Sequence, residues 1–557
     1  MKLQILALAA LIAAPAMAID DDGITLHGSV QSDILFPEDD YAIGTEKYDS
    51  KVLTNTYANL GFFSKYLDGG FRVEYLQHPL PGFEPEFKGW GVPNVFLKGK
   101  VKGVEITAGD FYEQFGSGFI LRTYEERSLG IDNSIRGGRV KVNSLRGFRF
   151  TALGGVQRVF WDWNTHSYIA GGDVEFDIQE YAKGLSKRNI VWTIGASYVF
   201  KHERDEDILV SGTNSKLNLP LNVSAFDVRT HFYRNGLDLL GEFAWKSQDP
   251  SYDHHYNYRH GTAIMLSGSY SKPGWSVFLQ AKRSDNMAFR SRRTQALSAA
   301  FINSLPPFAY QHTYTLASMY PYATQFAPGE YGFQGSFAYS FKRGTAMGGK
   351  YGTKFKLNAS YICGIDRKPV SDQVDKLYGT DWYESDSWKF GETFYTDVNL
   401  QMEKRLTKNV NLTLMYMFQK YNKTQVEGHG GMVNSNIFVA EGKFKLSKKV
   451  TLRAELQYLQ TKNDQKDWCY GLVELSVAPY LMFAISDQWN HGGRNLDKTE
   501  FVGAGEHYYM ASVTGTFKGN RLMVSYGRTR AGYNCTGGVC RYVPASRGFQ
   551  INYTFNF

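Results

Sequence analysis

The residues whose types could do chemistry crowd into one stretch of the chain. Between Tyr112 and Arg139 stand Arg122, Arg127, Arg136 and Arg139, interleaved with Glu125, Glu126 and Asp132. Where such groups line a passage, fixed charges facing one another across a lumen set a field that selects solutes by sign. The plainer reading is a folded outer loop held by ordinary ion pairs among the same groups. A second basic group, Arg283, Arg290, Arg292 and Arg293, leads to Pro306-Pro307 and an aromatic stretch from Tyr310 to Tyr322. Guanidinium forks match phosphate and carboxylate oxygens, so these four are candidate contacts for an anionic solute or for lipopolysaccharide. Solvated loop charge is the alternative.

Catalytic chemistry is thin. His254, His255 and His260 stand close in sequence to Asp249 and Asp253, a composition that a rim hydrolase or a transition-metal site would share. Yet the His residues are scattered along the chain, and no P-loop, dinucleotide fingerprint or zinc motif accompanies them. The expectation is a protein that is not an enzyme and holds no cofactor or metal. Cys535 and Cys540 bracket Thr-Gly-Gly-Val, close enough to clip a surface loop, and an exported chain folds where disulfides persist. Cys363 and Cys469 are far apart in sequence, and nothing in their spacing supports a pair.

The elements that must position these groups are read from periodicity. Phe549, Ile551, Tyr553, Phe555 and Phe557 alternate with Gly548, Gln550, Asn552, Thr554 and Asn556. Alternation of period two puts the apolar side chains on one face of a strand and the polar ones on the other. In a membrane barrel the apolar face meets lipid and the polar face a wet lumen. Tyr553, Phe555 and the terminal Phe557 resemble the assembly signal that bacterial outer-membrane barrels present to their insertion machinery. Leu237, Leu239, Phe243 and Trp245 interleave with Asp238, Glu242 and Lys246 in the same way, as do Val450, Leu452, Leu456 and Tyr458 with Thr451, Arg453, Glu455 and Gln457. Each run has about the ten residues that a tilted strand needs to cross.

The count comes to about 24 strands, within roughly 20 to 26, an even number as single-chain bacterial barrels have. Tight turns such as Leu67–Gly70, Lys100–Gly103, Arg234–Gly236 and Lys518–Asn520 carry the Gly, Asn and Asp that hairpins require. They alternate with long connections, among them 112–136, 284–330 and 363–391. Short turns belong in the periplasm and long loops outside. The predicted fold is therefore all-β: one transmembrane antiparallel β-barrel over residues 19–557.

Composition fits. The chain has 557 residues with 15% aromatics, rich in Tyr (37) and Phe (38), as interface girdles require. Mean hydropathy is −0.36, and no apolar run is long enough for a membrane helix. Net charge is only +8, and the basic residues are not organised as in nucleic-acid readers. Lys2, an apolar run from Leu3 to Ala14 and Pro15-Ala16-Met17-Ala18 read as a cleaved signal, residues 1–18. The expected partners are outer-membrane lipid and lipopolysaccharide, the insertion machinery and proteins of an outer-membrane complex, with no nucleic acid.

About 24 strands would enclose a cylinder roughly 45–50 Å across, wide enough to leak unless filled. No plug domain is expected ahead of the first strand, which argues against a TonB-dependent receptor. Filling is left to the loops 112–136 and 284–330.

The segments Phe115-Gly-Ser-Gly-Phe, continuing to Asn133, Gln311-His-Thr-Tyr-Thr, continuing to Tyr322, and Tyr533-Asn-Cys-Thr-Gly-Gly-Val-Cys-Arg-Tyr-Val-Pro544 resemble those of a family of Bacteroidota outer-membrane proteins of unassigned function. The resemblance covers the mature chain and implies the compartment and the barrel fold. It carries over no catalytic residue. The leading functional expectation is a solute channel narrowed by its own loops. A non-conducting accessory barrel of an assembly or secretion complex is the rival, and a rim enzyme the third reading.

Overall fold

A computed structural model describes residues 23–210, 214–296, 299–325, 329–370, 380–498, 501–536 and 539–557. The expected signal segment lies outside them. The wall is a closed antiparallel barrel of 24 strands. Closure is made by the first strand, Thr25–Pro37, which pairs with Leu53–Phe63 on one side and with the last strand, Ser546–Asn556, on the other. Closing the sheet leaves no edge strand, so backbone N–H and C=O groups along the wall pair with neighbouring strands, as lipid cannot pair them. Among the described residues no helix is long and apolar enough to cross a membrane; the crossing is made by strands.

Alternation sorts the two faces as expected. In Leu237–Lys246, Leu239 and Phe243 are 44% and 38% exposed, whereas Glu242 and Lys246 are buried. Phe and Leu therefore face outward to lipid, and the charged residues face the lumen. The same holds in Val450–Thr461, where Leu456 is exposed and Glu455 and Gln457 are buried. These inward residues are buried because plug segments occupy the lumen beside them: Glu242 accepts from Ser117, Lys246 donates to Ala288 O and Gln457 accepts from Leu316 N–H.

One end of the barrel carries short turns. Two connections there are longer: 178–189, with a short helix at Lys183–Ser186, and 342–352. The other end carries the long loops.

Two expectations need correcting. The glycines of Leu67–Gly70 do not form the turn. The strands are Leu53–Phe63 and Leu67–Leu76, with Gly61 opposite Gly70, so the turn is 64–66. Gly69 instead lies beneath the Phe62 ring, which a Cβ there would approach to 2.6 Å and push aside. The stretch 363–391 is not simply a loop either. Thr353–Pro369 and Tyr383–Arg405 stay paired past the wall, with register shifts near Cys363 and Ile365. They have 17 and 23 residues, well beyond the ~10 a crossing needs, so they project as a ribbon. Closely spaced charges there break the alternation that would have marked strands.

Candidate functional site

The long segments between Phe111 and Ile135 and between Asp285 and Glu330 turn into the barrel. Phe115, Phe119, Ile120 and Leu121 are 2% exposed or less and pack on inward residues of the wall such as Ile169, Val199 and Val223. Met287, Phe289, Ile302, Leu305 and Phe308 join the same cluster. The second segment then runs on to the far wall. There Leu316, Met319, Tyr320 and Tyr322 pack with inward Met417, Ile437, Val439, Leu459 and Trp468. Two apolar clusters, one against each side of the wall, thus make a plug from the chain's own loops.

Polar contacts hold the plug together and hold it in place. Asn303 is 1% exposed. Its amide donates to Phe119 O (2.9 Å) and Met287 O (2.7 Å), and its Oδ1 accepts from Phe289 N–H (3.2 Å). One side chain thus staples three strands of plug. Against the wall, Gln457 Oε1 accepts from Leu316 N–H (2.8 Å), Gln419 Nε2 donates to Tyr320 O (3.0 Å) and Ser360 Oγ accepts from Tyr310 N–H (3.0 Å). His312 pairs with Asp397. These are side-chain contacts on a polar wall; among the described residues no strand of the plug joins the barrel sheet.

The charges flagged in the sequence divide. Glu125 and Asp132 lie on the plug and reach wall residues that sequence reasoning did not name. Arg72 binds Glu74 (2.7 Å), Glu125 (2.9 Å) and Asp132; Arg158 binds Glu74 (2.8 Å) and Asp132 (2.6 Å). Burial raises the Asp132 pKa, but Arg158 and Arg72 outweigh it and hold the carboxyl below its ordinary value. The oxygens of Glu74, Glu125 and Asp132 come within 4.8 Å of one another, the spacing of a metal site. Two guanidiniums already occupy those oxygens, so the group acts as an ionic clamp between plug and wall.

Arg127 completes the clamp through Glu125 (2.6 Å) and lies over the Tyr57 ring (4.7 Å). Glu126 caps the short turn at Ser128, and Arg122 lies over Tyr124 (4.9 Å). Arg139 is a wall residue bound to Glu113 (3.1 Å). Arg136 also belongs to the wall, paired with Asp110 and stacked on Trp163 at 3.3 Å. It shares the outward register of Val140, opposite exposed Ile106, and so leaves the lumen set.

The second basic group is corrected more sharply. Arg293 is fully buried on Glu203 (3.1 Å), and Arg290 is 3% exposed on Asp253 (2.5 Å). Neither can meet lipopolysaccharide or a free anion. The segment that carries them is folded into the barrel, where a charge must be paired to be stable. Arg283 binds Asp285 (3.4 Å) and donates to Tyr331 Oη (3.1 Å). Arg292, on Glu206, keeps 42% of its side chain exposed. The histidines do not converge either. His254 accepts from Ala288 N–H (3.0 Å), His255 packs edge-on against Trp382 and His260 stacks on Trp245, while Asp249 binds Lys201 and Asp253 binds Arg290.

Cys535 and Cys540 form a disulfide across the hairpin Gly532–Thr536 and Val539–Val543. Arg541 of this hairpin binds Glu84 and lies over Phe83 (4.6 Å). Its Tyr533 and Cys535 face a cavity of about 270 Å³ walled by Tyr310, His312 and Tyr320 of the plug. The hairpin caps the plug at the loop end. Cys363 and Cys469 are free.

A closed wall with a lipid-facing exterior, a polar inner face and a lumen packed by two of its own segments defines a self-plugged transmembrane β-barrel. The chain belongs to DUF6029, a family of unknown function, whose sequence profile matches residues 1–557. Comparison with curated proteins found no match. Among solved structures the chain is similar to the P pilus usher (PapC) translocation pore, at 9% identity and a TM-score of 0.41 over 96% of this chain and 98% of that one. It is also similar to a mutant of the ferric enterobactin receptor PfeA from Pseudomonas aeruginosa, at 11% identity and 0.42 over 96% and 80%. Acinetobacter baumannii OccAB4 matches at 8% identity and 0.36 over 97% and 99%.

The missed wall residues had a signal. Arg72 and Glu74 alternate with Phe71, Val73 and Tyr75, which marks both as inward charges on a crossing strand.

Proposed function

We propose that this protein is a gated outer-membrane channel for small solutes in a Gram-negative bacterium, the Bacteroidota being the group its motifs resemble, and that the conformation described is its closed state. The single observation that carries the reading is the unequal filling of the lumen. The plug packs the loop end, while beneath Thr313 and Tyr314 a cavity of about 980 Å³ remains at the turn end. A barrel serving only as a scaffold has no physical need for an unfilled, charged lumen beneath a plug held by side-chain contacts. Residues 1–18, as a cleaved signal, would direct export, and the terminal Phe557 would serve insertion.

The test is single-channel conductance in planar bilayers. The intact protein should be silent or open rarely. Asn303→Leu removes three buried hydrogen bonds and leaves their partners unsatisfied, each at a cost of about 1–3 kcal/mol. It should raise the open fraction strongly, as should deletion of 306–324 with a short Gly-Ser bridge. A variant that keeps its barrel yet stays silent favours the accessory-barrel reading, which the dense packing of the plug also suits.

A further inference from the structure

The lumen treats its cations in two ways. Around the plug most of the buried cations have carboxylate partners: Lys201 has Glu203 and Asp249, Lys282 has Glu330, Arg229 has Asp173, Glu175 and Asp227, and Arg72 and Arg158 have the clamp carboxylates. Such matching is what burial requires.

The turn-end cavity of about 980 Å³ is different. Lys342, Arg343, Lys354, Arg405, Lys443 and Arg453 line it, against Glu403 and Glu441. Lys404 also lines it, at a lipid-side register position beside Met402 and Leu400. Both carboxylates are already taken. Glu403 stands opposite Lys354 in register but binds Lys356 at 2.5 Å; Glu441 binds Lys443 (3.1 Å) and Arg453 (3.0 Å). That leaves Lys342, Arg343, Lys354 and Arg405 without a carboxylate partner within 4.0 Å among the described residues. Arg405 is steered by two turn carbonyls, Thr407 O (3.2 Å) and Lys408 O (2.7 Å), and lies over the Tyr351 ring (5.5 Å). A recess walled by protein in which one sign of charge is in excess focuses its field and concentrates counter-ions. Its volume is that of a small-molecule site.

We propose that this recess binds a small solute carrying carboxylate or phosphate groups, held by Lys354 and Arg405 with Lys342 and Arg343 at the entrance and the plug residues Thr313 and Tyr314 as its roof. The barrel wall stands between the recess and the bilayer, so the ligand is a free anion and not a lipid headgroup. The inference deepens the channel reading and rests on it only for calling the solute cargo; binding is measured in the closed protein.

The experiment is isothermal titration of the full chain, in non-ionic detergent at low salt, with citrate and with inorganic phosphate. Saturable binding is expected, weakening as salt rises and shortens the screening length to about 10 Å at 0.1 M. Lys354→Gln with Arg405→Gln should weaken it at least about tenfold, since each removes a charge-assisted contact. Lys518→Gln, an exposed turn lysine outside the recess, should leave it unchanged. Both variants must first show a heat-resistant barrel on gels. Absence of saturable heat, or equal affinity in the double variant, overturns the site. Binding by a protein that never conducts leaves the site standing and removes the cargo reading.

Discussion

At the scale of single residues, His254 ties the plug to pH. It is fully buried, and its imidazole accepts from Ala288 N–H where the second plug segment begins. Burial first, and then the neighbouring Lys246 charge, hold its pKa well below 6.5. A released loop would let it protonate near 6.5. The anchored state therefore binds fewer protons, keeps its full stability above that pH and loses it as pH falls, by up to about 1.4 kcal/mol per unit. The adjacent Asp249 does not titrate in this window: burial raises its pKa, but Lys201 and Lys246 bring it below 3.8. Once the intrinsic pH dependence of amide exchange is divided out, the amides of 286–293 should be less protected at pH 5.5 than at pH 7.5, and His254→Gln should flatten that difference. Equal pH dependence in the two proteins would remove His254 as the cause. This anchor was not legible in the sequence. A loop histidine beside aspartates looks like a ligand or a base, and only the fold shows that the aspartates face lysine and arginine. Arg72 and Glu74 were legible by parity, but the carboxylates that Arg72 binds on the plug, Glu125 and Asp132, lie some fifty to sixty residues on, and spacing carries no record of that contact.

At the scale of elements, the crossing strands were legible because lipid on one side and water on the other impose period two. The plug was not, because its segments obey neither period: Phe119-Ile120-Leu121 is buried on all sides, and length alone singled the segments out. The closing seam is where one element can be tested. Gly28 and Phe557 exchange backbone hydrogen bonds (2.9 and 3.0 Å), and the Phe557 ring covers Gly28 so closely that a Cβ there would sit 2.1 Å from it. Phe557 also continues the ring ladder of Tyr553 and Phe555, with centroids 6.2 and 5.6 Å apart. Gly28→Leu should force the terminal ring off the seam and lower the temperature at which the barrel opens in detergent, with a larger effect than Gly99→Leu, where nothing lies within 4 Å. Equal shifts for the two variants would mean that the seam is not the weak point. Phe557→Lys should reduce surface levels further, through insertion.

At the scale of the whole molecule, a closed sheet keeps its hydrogen bonds until the entire ring fails, since no edge strand is left to fray. Unboiled protein should migrate faster on detergent gels than boiled protein; identical mobility would contradict the barrel. The plug departs from this all-or-none behaviour. It is joined to the wall at both ends of each segment, through Phe111 and Ile135 and through Asp285 and Glu330. It cannot be shed into the periplasm or replaced by another copy, and it can leave the lumen only by swinging out at the loop end. The plug is a tethered ligand of its own pore. Its return is intramolecular, governed by an effective concentration set by the lengths of its two arms. Reclosure should therefore proceed at the same rate in a sparse membrane as in a crowded one, and a soluble peptide copying 306–324 would compete for the wall only at concentrations approaching that local value.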